Sequence, residues 1–116
     1  MAYDVVDATY VLDNLGKMPI IDVRPKFLYD ESRIPGAVSV EMITAKQLGG
    51  DVAAEMARRA EAVGIGPDDE CIVYCQNGAL AHEACGYLEQ AGYTALHCYE
   101  GSFTDWVTDP SRPLED

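Results

Sequence analysis

Apolar residues in this chain fall in short clusters divided by single glycines, prolines and charges, and the spacing inside the clusters alternates between strand and helix periods. Val5 and Val6 read as a short first strand, after which Asp7 is placed to cap a helix that runs through Leu15 and stops at Gly16. MPIID, residues 18–22, is an apolar run ended by a charge and predicts a second strand. Residues 23–36, VRPKFLYDESRIPG, hold two prolines and many charges, so a loop with one helical turn around Phe27 to Asp30 is expected. AVSV, residues 37–40, predicts a third strand, and Thr44 to Leu48 a turn of helix. Asp51 caps a clearer helix, DVAAEMARRAEAVG, with Val52, Met56, Ala60 and Val63 at helical spacing and Gly64 as its stop.

CIVYC, residues 71–75, is too short for a helix and apolar at both strand phases, which predicts a strand buried on both faces at the centre of a sheet. QNGAL follows as a tight loop. A helix from about Ala81 to Ala91 then turns Ala84, Cys85 and Leu88 inward and ends at Gly92. TALHCY gives the last strand, and a short helix after Gly101 carries Phe103 and Trp106 ahead of a polar tail. This alternation of strands and helices predicts an α/β fold, three layers deep (α/β/α), with a parallel sheet covered on both faces. Ligands of such sheets bind beyond the carboxyl ends of the strands, and Cys75 stands at one of those ends.

The 116 residues suit a single core, so one domain spanning 1–116 is expected, with Met1 as the start of a complete chain. Twenty acidic residues against eight basic ones give a net charge of −12, a field that repels nucleic acid and anionic membrane surfaces. No run approaches the ~20 apolar residues of a membrane span. MAYDVVDATY lacks the basic and apolar regions of a leader, so a cytoplasmic location is expected. Cys71 and Cys75 would stand about 13 Å apart on an extended strand at ~3.3 Å per residue, too far for a disulfide.

A thiol is a nucleophile only when ionised, and a helix N-terminus with converging backbone amides favours the ionised form. Cys75 followed by Gln76, Asn77, Gly78, Ala79 and Leu80 offers that setting, since Gly78 is free to adopt positive φ and let amides turn toward one point. Cys71, Cys85 and Cys98 fall on core-facing positions. His82 lies in the first turn of the following helix, where a positive charge opposes the dipole, and is expected as a solvated surface histidine. His97 alternates inside the last strand and is expected simply to pack. Zinc on Cys75, His82 and Cys85 is not demanded by their spacing, and neither a metal nor a cofactor is expected. Phe103 and Trp106 are read as core aromatics with the option of a pocket mouth. Asp68, Asp69 and Glu70 are read as a turn, not a catalytic pair.

IIDVRPKFLYDESRIPGAVSV, VYCQNG and YEGSFTDW, in this order and spacing, together resemble the rhodanese superfamily over nearly the whole chain. The resemblance implies a five-stranded, mainly parallel sheet between helices. It also implies a sulfurtransferase reaction, in which a sulfane sulfur passes from a donor to Cys75 as a persulfide and then to a thiol or cyanide acceptor. Donors of the thiosulfate, 3-mercaptopyruvate or protein-persulfide type follow from it. Residues Gln76 to Leu80 match the loop whose amides hold the outer sulfur, while Asp22 and Arg24 of DVR and Arg33 of RIPGA match residues with structural duties.

The departures narrow the donor. Thiosulfate-using members typically place Arg or Lys directly after the Cys and again near the loop's end, where this chain has Gln76 and Leu80. Two-domain members often place Arg before the aromatic matching Tyr29, where this chain has Leu28. Thiosulfate would then rely on backbone amides, the helix dipole and Arg24, Lys26 or Arg33. Three other readings stay open beside this one. A phosphatase or arsenate reductase on the same architecture would need an oxyanion-binding Arg where Leu80 or Ala81 stands. A non-catalytic module would use the loop face to bind a protein. The opening VVDATYVLDNLG and closing DPSRPLED are also similar to one half of a two-domain sulfurtransferase.

Overall fold

The structure, a computed structural model, describes residues 3–116; Met1, on which the expectation of a complete chain rests, lies outside them. Five parallel strands form one sheet in the order β1-β5-β4-β2-β3. They are β1 (Asp4–Val6), β2 (Ile20–Asp22), β3 (Ala37–Ser39), β4 (Cys71–Tyr74) and β5 (Leu96–Tyr99). The helices between them are α1 (Ala8–Asp13), α2 (Lys26–Glu31), α3 (Met42–Gln47), α4 (Val52–Ala62), α5 (Ala79–Gln90) and α6 (Ser102–Trp106).

Strand β4 is central, and its side chains divide as a period of two requires. Cys71 and Val73 enter a core with Met56, Ala60, Ala84, Cys85 and Leu88 from α4 and α5. Ile72 and Tyr74 enter a second core with Ala8, Val11 and Trp106 from α1 and α6. These two cores on opposite faces are the three expected layers. The double-sided burial explains why CIVY reads as a continuous apolar run and not as an alternating one. The expected caps are also in place: Asp7 accepts the Tyr10 N–H at 2.9 Å and Asp51 accepts the Ala54 N–H at 3.0 Å.

Several boundaries differ from the sequence reading. Strand β2 begins at Ile20 and β5 at Leu96, each two residues later than expected. Residues 26–31 form a full six-residue helix instead of one turn, because Pro25 supplies a fixed φ at its start and Lys26 and Asp30 pair across a turn at 3.0 Å. Val63 does not face the core: it is 40% exposed, since α4 ends at Ala62 and Val63 belongs to the unwinding turn. Among the described residues no helix is long and apolar enough to cross a membrane.

Candidate functional site

The site forms where β4 runs out. Cys75 follows the strand directly and is fully buried, and α5 starts at Ala79, two residues earlier than the sequence suggests, with Gly78 as its N-cap. Gly78 has φ +101°, and a β-carbon there would stand 2.1 Å from the Glu100 carbonyl oxygen, so glycine is required on two counts. That conformation turns the Gly78 N–H onto Cys75 Sγ at 3.0 Å, and the Ala81 N–H reaches the same sulfur at 3.2 Å. Two N–H dipoles at the start of a twelve-residue helix thus converge on one sulfur. The Ala79 N–H is taken by Asn77 Oδ1 at 3.2 Å, whereas the amides of Gln76, Asn77 and Leu80 carry no hydrogen-bond partner among the described residues.

The start of α6 holds the loop from below. Phe103 and Thr104 donate their N–H groups to the carbonyls of Cys75 and Gln76 at 3.0 and 2.9 Å. The Ser102 hydroxyl accepts the Cys75 N–H at 3.1 Å and lies 3.8 Å from Sγ. Sequence reasoning missed Ser102, and no periodicity or spacing marks it.

Asp22 and Arg24 sit beneath the loop in a buried network. Arg24 donates through Nε and an Nη to the Asp22 carboxylate at 3.1 and 2.8 Å, and Tyr74 donates its hydroxyl to Asp22 Oδ2 at 2.5 Å. Another Arg24 contact reaches Gln76 Oε1 at 3.3 Å, and a further one the Ser32 carbonyl at 2.7 Å, so one guanidinium ties β2, the α2–β3 segment and the loop together. Phe103 lies under the guanidinium at 4.2 Å, a contact that joins α6 to the same group. Burial alone would lower the Arg24 pKa, but the hydrogen bond and charge of Asp22 hold it above its ordinary value. Tyr74 is pushed well above an ordinary phenol, first by burial and then by the Asp22 charge. Its place beside Cys75 in VYC was visible in the sequence, but its hydrogen bond to Asp22 was not.

Arg33 lies outside this network. It pairs with Glu115 at 2.9 Å and donates to the Tyr29 carbonyl at 3.0 Å, and its guanidinium packs on the Tyr29 ring. An isolated bridge between Arg33 and Glu115 fastens the C-terminal segment to the RIPGA turn. The cations available to an anionic donor are therefore already matched to carboxylates: Arg24 to Asp22, Lys26 to Asp30 and Arg33 to Glu115. A groove of about 300 Å³ flanks the loop, lined by Met42, Ile43, Lys46, Gln47 and Leu80, and its one cation, Lys46, pairs with Glu83 at 2.8 Å. The groove meets the loop at Leu80 and is otherwise lined by α3.

The histidines correct two expectations. His82 is not a freely solvated surface residue: its Nδ1 lies 3.0 Å from the Tyr3 hydroxyl and its Nε2 2.8 Å from Glu100 Oε1. Both ring nitrogens thereby face groups other than Cys75 and Cys85. His97 does more than pack: its Nε2 meets Glu70 at 2.6 Å, while its Nδ1 stands 3.2 Å from Asp4 Oδ2 without the alignment of a hydrogen bond. The other cysteines are buried thiols. Burial pushes Cys71 up to about 12, and contact with Cys98 followed by burial pushes Cys85 higher still. Trp106 is core, with its indole N–H on the Pro113 carbonyl at 2.8 Å.

Known proteins share both fold and sequence with this chain. A thiosulfate sulfurtransferase of Pseudomonas aeruginosa is 32% identical over 90 residues, a stretch covering 71% of this chain and 31% of that protein. A probable 3-mercaptopyruvate sulfurtransferase of the same organism is 40% identical over 48 residues, covering 41% of this chain and 17% of its own length. The chain therefore spans a third or less of these two relatives. Among solved structures, a human single-domain sulfurtransferase superposes with a TM-score of 0.71 at 22% identity, covering 90% of this chain and 96% of that one. The Alr3790 protein of Anabaena sp. superposes with a TM-score of 0.75 at 20% identity, covering 95% and 90%. Residues 7–109 match the rhodanese-like domain family. With the five-stranded sheet and the cysteine loop in the expected places, the chain belongs to the rhodanese superfamily, whose relatives point to sulfurtransferase-type function at the level of the family.

Proposed function

We propose that this protein is a single-domain sulfurtransferase in which Cys75 carries a sulfane sulfur as a persulfide. The observation that supports this best is the convergence of the Gly78 and Ala81 amides on Cys75 Sγ, which stabilises negative charge on that atom. The Cys75 thiolate attacks the transferable sulfur of the donor. A new S–S bond forms, and the donor's bond to that sulfur breaks, its electron pair leaving with sulfite, with the pyruvate carbon or with a thiolate. In the second half, a thiol or cyanide acceptor attacks the outer sulfur and takes it, and Cys75 leaves as the thiolate. No net oxidation of the protein accompanies the cycle. Gln76 to Leu80 form the cradle for the outer sulfur, the free amides of Gln76, Asn77 and Leu80 being available to it. Asp22, Arg24 and Arg33 hold the surrounding segments.

Because Arg24, Lys26, Arg33 and Lys46 are already matched to carboxylates, the donor is one of lower negative charge than the thiosulfate dianion: the mercaptopyruvate monoanion or a protein persulfide ahead of thiosulfate. The experiment is a donor panel of thiosulfate, mercaptopyruvate and a protein persulfide, applied to wild type and Cys75→Ser. Mass spectrometry is expected to find one added sulfur on Cys75 in the wild type only, and kinetics to rank thiosulfate last. No added sulfur with any donor would leave a binding role for the loop face, and strong, exclusive thiosulfate turnover would overturn the donor preference.

A further inference from the structure

Ser102 is the one residue other than glycine with a positive φ, +59°, among the described residues. Side-chain-bearing residues seldom adopt this conformation, and those that do tend to be held there by surrounding structure at functional places. Glycine would sit at this φ without penalty. The backbone therefore gives no reason for serine, and the reason has to come from its hydroxyl.

That hydroxyl is fully buried and has three neighbours. It accepts the Cys75 N–H at 3.1 Å, donates to the Tyr99 carbonyl at 2.8 Å and lies 3.8 Å from Cys75 Sγ. Tyr99 ends β5 and Cys75 follows β4, so one hydroxyl spans two adjacent strand ends. Without it, the Cys75 N–H would be buried and unpaired. The Cys75 carbonyl is already fixed by the Phe103 N–H at 3.0 Å, so α6 holds both polar groups of the cysteine backbone.

We infer that Ser102 is a positioning residue for Cys75: its strained backbone places a hydroxyl under the cysteine N–H, which keeps Sγ within reach of the Gly78 and Ala81 amides. The inference rests on the reading of Cys75 as the sulfur carrier, but it makes a claim about the thiol that does not depend on any donor. Substituting Ser102 by glycine removes the hydroxyl and relieves the backbone together, whereas alanine removes the hydroxyl and keeps the strain. A merely structural serine would make reactivity follow stability through the pair.

The test uses Ser102→Gly and Ser102→Ala in the full chain, with three readouts: thermal unfolding, the rate of Cys75 alkylation by iodoacetamide located by peptide mass, and kcat and KM with the best donor. Ser102→Gly is expected to keep a melting temperature near that of the wild type and Ser102→Ala to fall below it. Both are expected to alkylate Cys75 about tenfold more slowly, the scale of one lost hydrogen bond, with kcat reduced and KM unchanged. Wild-type alkylation and kcat in Ser102→Gly would overturn the inference. Should Ser102→Ala fail to fold, the glycine variant decides alone. Should no donor load sulfur even on the wild type, the proposed reaction fails, while the alkylation rates still decide the role of Ser102.

Discussion

Replacing Asp22 by asparagine keeps the size of the side chain and removes its charge, which isolates what the carboxylate does for Arg24. The carboxylate is fully buried and accepts from the Arg24 backbone N–H at 2.9 Å, from Nε and an Nη of the same guanidinium, and from the Tyr74 hydroxyl. Asparagine can accept through one oxygen only and presents an NH₂ to groups that are themselves donors. The guanidinium, 2% exposed, is then left without a carboxylate and keeps one amide oxygen at most beside the Ser32 carbonyl and Gln76. Breaking a buried pair by removing one member costs about 3–5 kcal/mol, against a total stability of roughly 5–15 kcal/mol for a domain. Urea denaturation should show this as a midpoint lowered by about 2 M, given a slope of roughly 1–3 kcal/mol/M. A double-mutant cycle with Arg24→Met should return a coupling of about 2 kcal/mol or more, because the double variant no longer buries an unpaired charge. An Asp22→Asn protein within about 1 kcal/mol of wild type would refute the assignment of Asp22 and Arg24 to structure.

Three further outcomes follow from other parts of the site. Gly78→Ala should lose roughly 2–4 kcal/mol of stability and most sulfur loading, since its β-carbon meets the Glu100 carbonyl and its φ is unfavourable for alanine; chemical denaturation and mass spectrometry measure both. Leu80→Arg should raise kcat/KM for thiosulfate about tenfold relative to mercaptopyruvate by supplying the cation the loop lacks, and an unchanged ratio would show that loop charge does not set donor choice. Glu55 is held at about 2, below an ordinary 4.5, first by its hydrogen bond to Arg58 and then by Arg59. Its contribution is therefore present above pH 4.5 and lost as the pH falls toward 2, so Glu55→Gln should flatten that part of an acid-unfolding profile.

Most of the architecture was legible because β4 is an unbroken apolar run and α4 and α5 carry helical periods that tertiary packing reinforces. Val63 misled because helical spacing continues past the residue where the backbone unwinds, and periodicity does not register the end of a hydrogen-bond ladder. The Cys75 loop was legible from one glycine in the right place. Ser102, Tyr74 and the Tyr3–His82–Glu100 contacts were not, since each depends on groups far apart in sequence that only the closed sheet brings together. The burden carried by Arg24 was likewise hidden, because a DVR triplet says nothing of the Ser32 carbonyl or the Phe103 ring.

The strand order β1-β5-β4-β2-β3 also bears on the timing of synthesis. The first strand made pairs with the last, Asp4 lying beside His97, and Arg33 waits for Glu115 near the other terminus. A chain emerging from the ribosome can join β2 to β3 early, but β1 finds its partner β5, and Cys75 its Ser102 support, only after α5 and β5 have been made. The cysteine loop is thus completed late relative to its own synthesis, and while the 27 residues from Cys75 to Ser102 are being made the thiol exists without its α6 support.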